Sequence, residues 1–483
     1  MTQPTWNIIN DDALHALQLI PDNSVDTIIT SPPFYGLRDY GTATWEGGDP
    51  HCDHQKETIR KRRNLAQAAN ACDGGNRKAN DRADNNTIGL YYREACHKCG
   101  ATRVDKQVGV EATPQQYVAN LVTIFREAKR VLADHGSLWL NLGDSSAANR
   151  TYQVTDTKHV DVGNYRASSI PPGLKPKDLI GIPWLTAKAL QAGFSTCDNC
   201  HTELRTDLWP THENNPICLN CAIKQQKHQI IQTEPGYFLR ADIIWAKGWS
   251  FCPDRAGNPM PESVTDRPTR AHEHIFLLTK NQHYYYDYVA VRETNTALNT
   301  QRNLRDVWAI NLKGSTDNHF AAYPEALVVP MIQATCPQTV CDNCGKPHVR
   351  TVETTSQPHP NRYSQKPDAK QFNQDDNQYS EAGSLGVAHI ITTTGWQPTC
   401  YCGTQHPIPQ DELDADPSLL DDFEIAPTPT RPGTTLDPFA GSGTTITTAI
   451  KLNRNAIGIE LNPQYANLAK QKAAQAQQPL FAL

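Results

Sequence analysis

Residues 434–463 read TTLDPFAGSGTTITTAIKLNRNAIGIELNP. A β-prone segment, Thr434 to Leu436, runs through Asp437-Pro438 into a glycine turn, Gly441-Ser442-Gly443. Thr444 to Lys451 then carries apolar residues at helical spacing, Ala456 to Leu461 is a second apolar strand, and Asn462-Pro463 opens a final helix. This is one strand–helix–strand crossover of a doubly wound α/β sheet, with the glycine turn at the carboxyl end of a strand, where such sheets bind ligands. Neither a P-loop lysine nor the third glycine of the dinucleotide fingerprint follows, which argues against a nucleoside triphosphate or NAD site. Glu460 ends the second strand, 17 residues beyond Gly443. An acid at that place can accept both hydroxyls of a ribose.

The start of the chain supplies the matching half. Trp6 to Phe34 reads as strand, helix, strand and loop: Asn10-Asp11-Asp12 precedes an apolar-periodic segment from Ala13 to Ile20, and Val25 to Thr30 is a β-rich run stopped by Ser31-Pro32-Pro33-Phe34. Consecutive prolines fix φ and lack a backbone donor, which suits a rigid loop at a strand's carboxyl end. Thr113, an N-cap followed by Pro114, begins a helix whose apolar positions run to Leu132; Gly136 reads as its stop, and Ser137 to Leu142 as a buried strand. Leu179 to Ala192 predicts a helix broken or begun at Pro183, and Ala241 to Ala246 and His274 to Thr279 predict further core strands. The α/β core thus occupies 1–40, 111–195, 226–335 and 431–483. Polar, Cys-bearing insertions fill 41–110, 196–225 and 336–430, and the Gln-, Asp-, Pro- and Thr-rich stretch from about 345 to 430 carries no regular pattern.

Most of the 14 cysteines stand in pairs. Cys197-x2-Cys200 with Cys218-x2-Cys221 has the spacing of a four-thiolate zinc ribbon. Cys341-x2-Cys344 with Cys400-x-Cys402 predicts a second zinc site, and Cys52-x-His54 with Cys96-x2-Cys99 a third. Four protein ligands leave no open coordination position, so these zincs are expected to be structural staples for segments too short to build a core. Cys72, Cys252 and Cys336 are left over and read as inert.

Composition narrows the class further. No apolar run approaches the roughly 18 residues of a membrane span and no signal-peptide pattern opens the chain, so a cytoplasmic protein without membrane attachment is expected. The net charge of −6 is concentrated: residues 411–424 hold seven acidic side chains and no basic one, and the remainder carries +1. Lys56, Arg60, Lys61, Arg62 and Arg63 form a basic cluster, read either as a solvated loop or as a contact to nucleic-acid phosphates.

The loop Thr30-Ser31-Pro32-Pro33-Phe34, the turn Asp437-Pro438-Phe439-Ala440-Gly441-Ser442-Gly443-Thr444-Thr445 and their order resemble the β group of the amino-methylating DNA methyltransferases. Asn10-Asp11-Asp12, Asn258 to Val264, His272 to Phe276 and His319 to Pro324 are similar to that group's other segments. The resemblance implies a Rossmann-like sheet with circularly permuted motif order and S-adenosylmethionine as cofactor. It implies cofactor contacts from Asp12, Asp437, Phe439, Gly441, Gly443, Thr444 and Glu460, and a base site at Ser31, Pro32, Pro33 and Phe34. In that group a serine before the prolines goes most often with cytosine N4, and Asp or Asn with adenine N6. The implied reaction is methylation of cytosine N4 in a specific sequence of double-stranded DNA by base flipping, with a cognate restriction endonuclease as a partner. Adenine N6 methylation, an RNA substrate and an inactive zinc-bearing DNA-binding scaffold stay open. Ring-carbon methylation is set aside, because no cysteine here follows a proline to serve as nucleophile.

Overall fold

The computed structural model describes residues 3–36, 40, 42–54, 57–60, 87–91, 95–111, 113–147, 174–197, 203–204, 230–248, 264–295, 300–312, 323–358, 387–402 and 428–477. Eight strands form one sheet: β1 (Trp6–Ile9), β2 (Val25–Thr30), β3 (Leu132–Leu142), β4 (Phe238–Ala246), β5 (His272–Thr279), β6 (Val307–Ala309), β7 (Thr434–Asp437) and β8 (Asn455–Ile459). Their spatial order is β1-β8-β7-β2-β3-β5-β4-β6. Pairing is parallel from β1 through β3; β5 runs antiparallel to both of its neighbours, and β6 lies parallel to β4 at the far edge. The last strands in the chain therefore sit between the first two, as the permuted order requires, and β7 and β2 meet where the strand order reverses.

Among the described residues six helices cover the sheet: α1 (Ala13–Leu19), α2 (Pro114–Val131), α3 (Ile182–Ala192), α4 (Glu325–Thr335), α5 (Thr444–Lys451) and α6 (Pro463–Gln477). Strand alternation sorts side chains between two cores. Ile28, Leu138, Leu140, Phe276 and Leu278 pack with Leu17, Leu121 and Phe125 beneath α1, α2 and α3. Ile29, Trp139, Ile275 and Leu277 pack with Leu327, Ile446 and Ala469 beneath α4, α5 and α6. Near-continuous apolar strands follow from this, because both faces are dry.

Local signals account for the boundaries. Thr113 accepts from the Gln116 amide and caps α2, with Pro114 at the first helical position. Asn462 Oδ1 accepts from the Gln464 and Tyr465 amides and does the same for α6. Two expectations are corrected. Helix α2 ends at Val131, and β3 begins at once, with Gly136 inside it rather than at a helix stop. The register slips there, Val25 facing Leu132 and Thr27 facing Ser137. A Cβ on Gly136 would lie 2.8 Å from the Ala133 carbonyl oxygen, so the glycine answers a close approach. The stretch from 345 onward is also not all irregular: His348–Pro358 and Val387–Pro398 pair as an antiparallel ribbon. Arg350 anchors its root, forked onto Asp287 at 2.7 and 3.0 Å and stacked 4.5 Å over the Trp396 ring.

Among the described residues no helix is long and apolar enough to cross a membrane.

Candidate active site and cysteine clusters

Ser31 to Phe34 leave the carboxyl end of β2, and the Pro33 carbonyl and the Phe34 ring are met by distant residues. The hydroxyl of Tyr117, buried in the first turn of α2, donates to the Pro33 carbonyl at 2.9 Å. Burial pushes that hydroxyl's pKa well above its usual range, so it stays a donor. Tyr35 is fully buried against Tyr117, ring centroids 5.5 Å apart. The Gly36 amide donates to the Gly109 carbonyl, where the 41–110 insertion returns to the core. Phe34 is half-buried over Gly143, at which a Cβ would stand 2.6 Å from the ring. With Pro33 engaged, Ser31 Oγ and the Pro32 carbonyl are the acceptors of the loop, and among the described residues no donor reaches the Pro32 carbonyl.

The glycine turn hangs from the neighbouring strand β7. Gly441 and Gly443 both take positive φ, +52° and +85°. The two differ in surroundings: a Cβ at Gly443 would lie 2.9 Å from Ala469 Cβ in α6, whereas one at Gly441 would meet open space. Glu460, just past β8, turns its carboxylate to the turn, accepting from the Gly441 and Asn462 amides at 2.8 Å each. Each oxygen keeps a second lone pair. Burial holds the Glu460 carboxyl above its usual range. Asn10 at the end of β1 fixes this corner by donating to the Glu460 and Leu461 carbonyls. Asp12 caps α1, its Oδ1 accepting from Leu14 and His15. Thr444 is the first residue of α5, and Phe439 meets Phe125 edge-on, centroids 6.5 Å apart. An open glycine and an inward acid with spare lone pairs fit a cofactor carrying a ribose diol, as S-adenosylmethionine does.

Asp437 joins the two loops. Its Oδ1 accepts from Thr30 Oγ1 at 2.7 Å and from the Phe439 amide at 3.0 Å; its Oδ2 accepts from Tyr323 at 2.9 Å and Thr445 at 2.8 Å. Burial raises the Asp437 pKa even against these donors. The carboxylate is thus saturated by protein donors, and the role this geometry gives it is to lock the end of β2 to the glycine turn. Tyr323 comes from the His319 to Pro324 segment; its ring is partly exposed, while its hydroxyl lies inside, against Asp437 and Thr445.

One site residue escaped the reading of the sequence. Asn141 on β3 donates to Ser31 Oγ at 3.1 Å and to Glu273 Oε2 at 2.9 Å, and Glu273 in turn is paired with Lys247. Its signal was a lone amide in the apolar run Leu138-Trp139-Leu140-Asn141-Leu142.

Two of the three cysteine groupings are brought together. Cys52, His54, Cys96 and Cys99 place their ligand atoms within 4.8 Å of one another, as do Cys341, Cys344, Cys400 and Cys402. In the first, Cys52 Sγ is 3.8 Å from Cys96 Sγ, and Cys99 Sγ is 3.7 Å from His54 Nδ1. A tetrahedral zinc with bonds of about 2.3 Å to sulfur has edges of about 3.8 Å, so the donor set fits that ion. Each cluster contains a C-x2-C-G turn whose glycine, Gly100 or Gly345, has φ +74° and donates its amide to the first cysteine's carbonyl. In the second cluster, against burial, the Cys344 and Asn343 amides hold the Cys341 thiol down at about 7, while the hydrogen bond with Cys344 pushes Cys402 up to about 12. Crowded sulfurs that resist common ionisation are what a cation resolves. Trp45 stacks on His54, centroids 4.5 Å apart.

Lys56, Lys61, Arg62, Arg63, Cys200, Cys218 and Cys221 lie outside the described residues, as do 258–263, 319–322 and 411–424. Arg60 and Cys197 are described only as backbone positions in short strands.

The profile of the N6/N4 DNA methylase family matches residues 25–342 and 428–471, which include both loops. The type II methyltransferase M.Cfr9I of Citrobacter freundii is 34% identical over 328 residues, 68% of this chain and 71% of that protein. The type II methyltransferase M.SmaI of Serratia marcescens is 27% identical over 96% of this chain and 89% of its own. The solved PvuII DNA methyltransferase (cytosine-N4-specific) aligns with a TM-score of 0.40 at 11% identity, covering 100% of this chain and 89% of that one, a likeness too weak to add to the sequence matches. With profile and relatives agreeing across a permuted sheet that juxtaposes a Ser-Pro-Pro-Phe loop and a glycine turn, the chain belongs to the N6/N4 family of S-adenosylmethionine-dependent DNA methylases.

Proposed function

We propose that this methylase acts on the N4 amine of cytosine within a specific sequence of duplex DNA, on a base rotated out of the helix. What supports this is the loop at the end of β2: Ser31 and Pro32 present acceptors beside a glycine turn to which Thr30 and Asp437 bind them at 2.7 Å. The amine lone pair is conjugated into the base ring and is a poor nucleophile. Ser31 Oγ and the Pro32 carbonyl accept the two amine protons, drawing the nitrogen toward a pyramidal geometry in which the lone pair is available. Phe34 stacks on the extruded base, and Pro33 keeps the loop rigid through Tyr117. S-adenosylmethionine, held by Gly441, Gly443 and Glu460, supplies an electrophilic methyl group on a sulfonium. Serine before the prolines is the basis for cytosine rather than adenine.

The cysteine clusters are assigned to structural zinc, including Cys197, Cys200, Cys218 and Cys221 as a third site. Arg60, Arg62 and Arg63 with Lys56 and Lys61 are assigned to DNA phosphates; replacing the three arginines by alanine would weaken binding across all sequences and lower the salt slope. The relatives' designation as type II methyltransferases supports a cognate restriction endonuclease whose site the modification protects.

The test is mass spectrometry of nucleosides from mixed-sequence duplex DNA incubated with protein and S-adenosylmethionine, with Ser31→Ala alongside. N4-methylcytosine that disappears in Ser31→Ala is the expected result. N6-methyladenine instead would overturn the choice of base.

A further inference from the structure

We propose that Asn141 is a positioning residue for Ser31, itself oriented by the Lys247–Glu273 ion pair. The inference rests on the reading of Ser31 as an acceptor for the target amine and is indifferent to which base carries it.

Strand register brings the three elements together. Ile29 faces Trp139 and Thr30 faces Leu140, so Ser31 falls opposite Asn141 at the ends of β2 and β3. Asn141 pairs with Ile275 on β5, and Glu273, two residues away, shares its face of the sheet. Trp245 pairs with Glu273, which brings Lys247, just beyond β4, onto the Glu273 carboxylate. All three side chains are largely buried, Asn141 to 5% exposure, Glu273 to 12% and Lys247 to 16%.

The chemistry fixes which way the amide points. Glu273 accepts from Lys247 through Oε1 and offers Oε2 as an acceptor to Asn141, so the Asn141 nitrogen and not its oxygen must face it. Both amide hydrogens are then committed, one to Glu273 Oε2 at 2.9 Å and one to Ser31 Oγ at 3.1 Å. Ser31 Oγ therefore spends one lone pair on Asn141. The hydroxyl is held with its second lone pair and its own proton turned elsewhere, the lone pair for an amine N–H and the proton for the acceptor nitrogen next to that amine in the base ring. Without Asn141 the serine rotor has no fixed orientation. The arrangement also carries a cost, since Asn141 Oδ1 is buried with no partner among the described residues. An orphaned buried acceptor is tolerated where the group serves something other than stability.

The experiment compares Asn141→Leu, Ser31→Ala and the double variant with wild type at saturating DNA and S-adenosylmethionine. It reads methyl-transfer rate, KM for DNA, cofactor affinity by calorimetry and the thermal midpoint. Asn141→Leu is expected to lower kcat about 10- to 100-fold. KM and cofactor affinity should stay within about twofold, the midpoint should hold or rise, and nothing further should be lost in the Ser31→Ala background. Glu273→Gln, which keeps an acceptor but loses the ion pair, should give a smaller loss of kcat. A wild-type kcat in Asn141→Leu with an impaired Ser31→Ala overturns the positioning role alone, as do additive losses in the double variant or a loss that follows cofactor affinity. A fully active Ser31→Ala overturns the underlying reading of the loop, and the positioning role with it.

Discussion

The two glycines of the turn below β7 should fail in different ways when replaced by alanine. At Gly443, φ +85° is a left-handed conformation that costs an L-residue about 1–2 kcal/mol. The added Cβ would also stand 2.9 Å from Ala469 Cβ and 3.1 Å from Ala469 Cα, a collision with the backbone of α6 that cannot be relieved by a rotamer. Overpacking of this kind adds about 1–3 kcal/mol. Loss of glycine's freedom in the unfolded chain returns about 0.4–1 kcal/mol, leaving a net destabilisation of about 1–4.5 kcal/mol. Gly441, at φ +52°, meets nothing within 4 Å, so only the backbone strain applies and the net loss is about 0–1.5 kcal/mol. Its methyl would instead project into the open space beside Glu460, where the cofactor's ribose is assigned. Urea unfolding followed by tryptophan fluorescence, with S-adenosylmethionine titrated calorimetrically, separates the two. Gly443→Ala should show the larger fall in unfolding free energy, and Gly441→Ala should lose at most about 1.5 kcal/mol of stability while losing cofactor affinity. Ala469→Gly in the Gly443→Ala chain should recover only part of the loss, because the collision with the α6 backbone remains. Equal destabilisation by both substitutions, or unchanged cofactor affinity in Gly441→Ala, would refute the reasoning.

Tyr117→Phe removes the donor to the Pro33 carbonyl and should cost about 0.5–1.5 kcal/mol in unfolding experiments while lowering kcat with little change in cofactor affinity; an unchanged kcat would detach α2 from the base loop. Zinc measured by mass spectrometry should fall by one ion per chain in Cys96→Ser and by one in Cys341→Ser, and unchanged metal in either would dismiss that site. Because burial raises the Glu460 pKa above its ordinary 4.5, the stability it contributes is full below that value and is lost as pH rises through the folded pKa. The carboxylate form accepts ribose hydroxyls best, so cofactor affinity should run the other way, falling on acidification from above pH 4.5; a calorimetric pH series identical in Glu460→Gln would exclude the assignment.

What could be read from the residues in order, and what could not, divides by the range of the interaction. Helix α5 was legible to the residue, Thr444 to Lys451, because a glycine turn and an apolar period are both local. The two cysteine clusters were legible in part for the same reason: C-x2-C-G writes its own turn, and Gly100 and Gly345 adopt one φ in both. Gly136 shows the limit of the local rule. A glycine after a helix reads as its stop, yet the same residue type also answers a close backbone approach, and only the Ala133 carbonyl at 2.8 Å distinguishes the cases. The ribbon of His348–Pro358 and Val387–Pro398 was hidden because a threonine-rich, polar composition satisfies a two-stranded arm as well as an irregular one. What fixes it is its root, where Arg350 reaches Asp287 and the cysteines close beneath. The active site lies at the far end of this scale. Thr30 and Asp437 are separated by 407 residues, Ser31 and Asn141 by 110, and Pro33 and Tyr117 by 84. No periodicity reports such pairs; the motif order indicates that the loops meet, and only the strand register, Thr30 beside Leu140, determines that the amide behind Ser31 is Asn141.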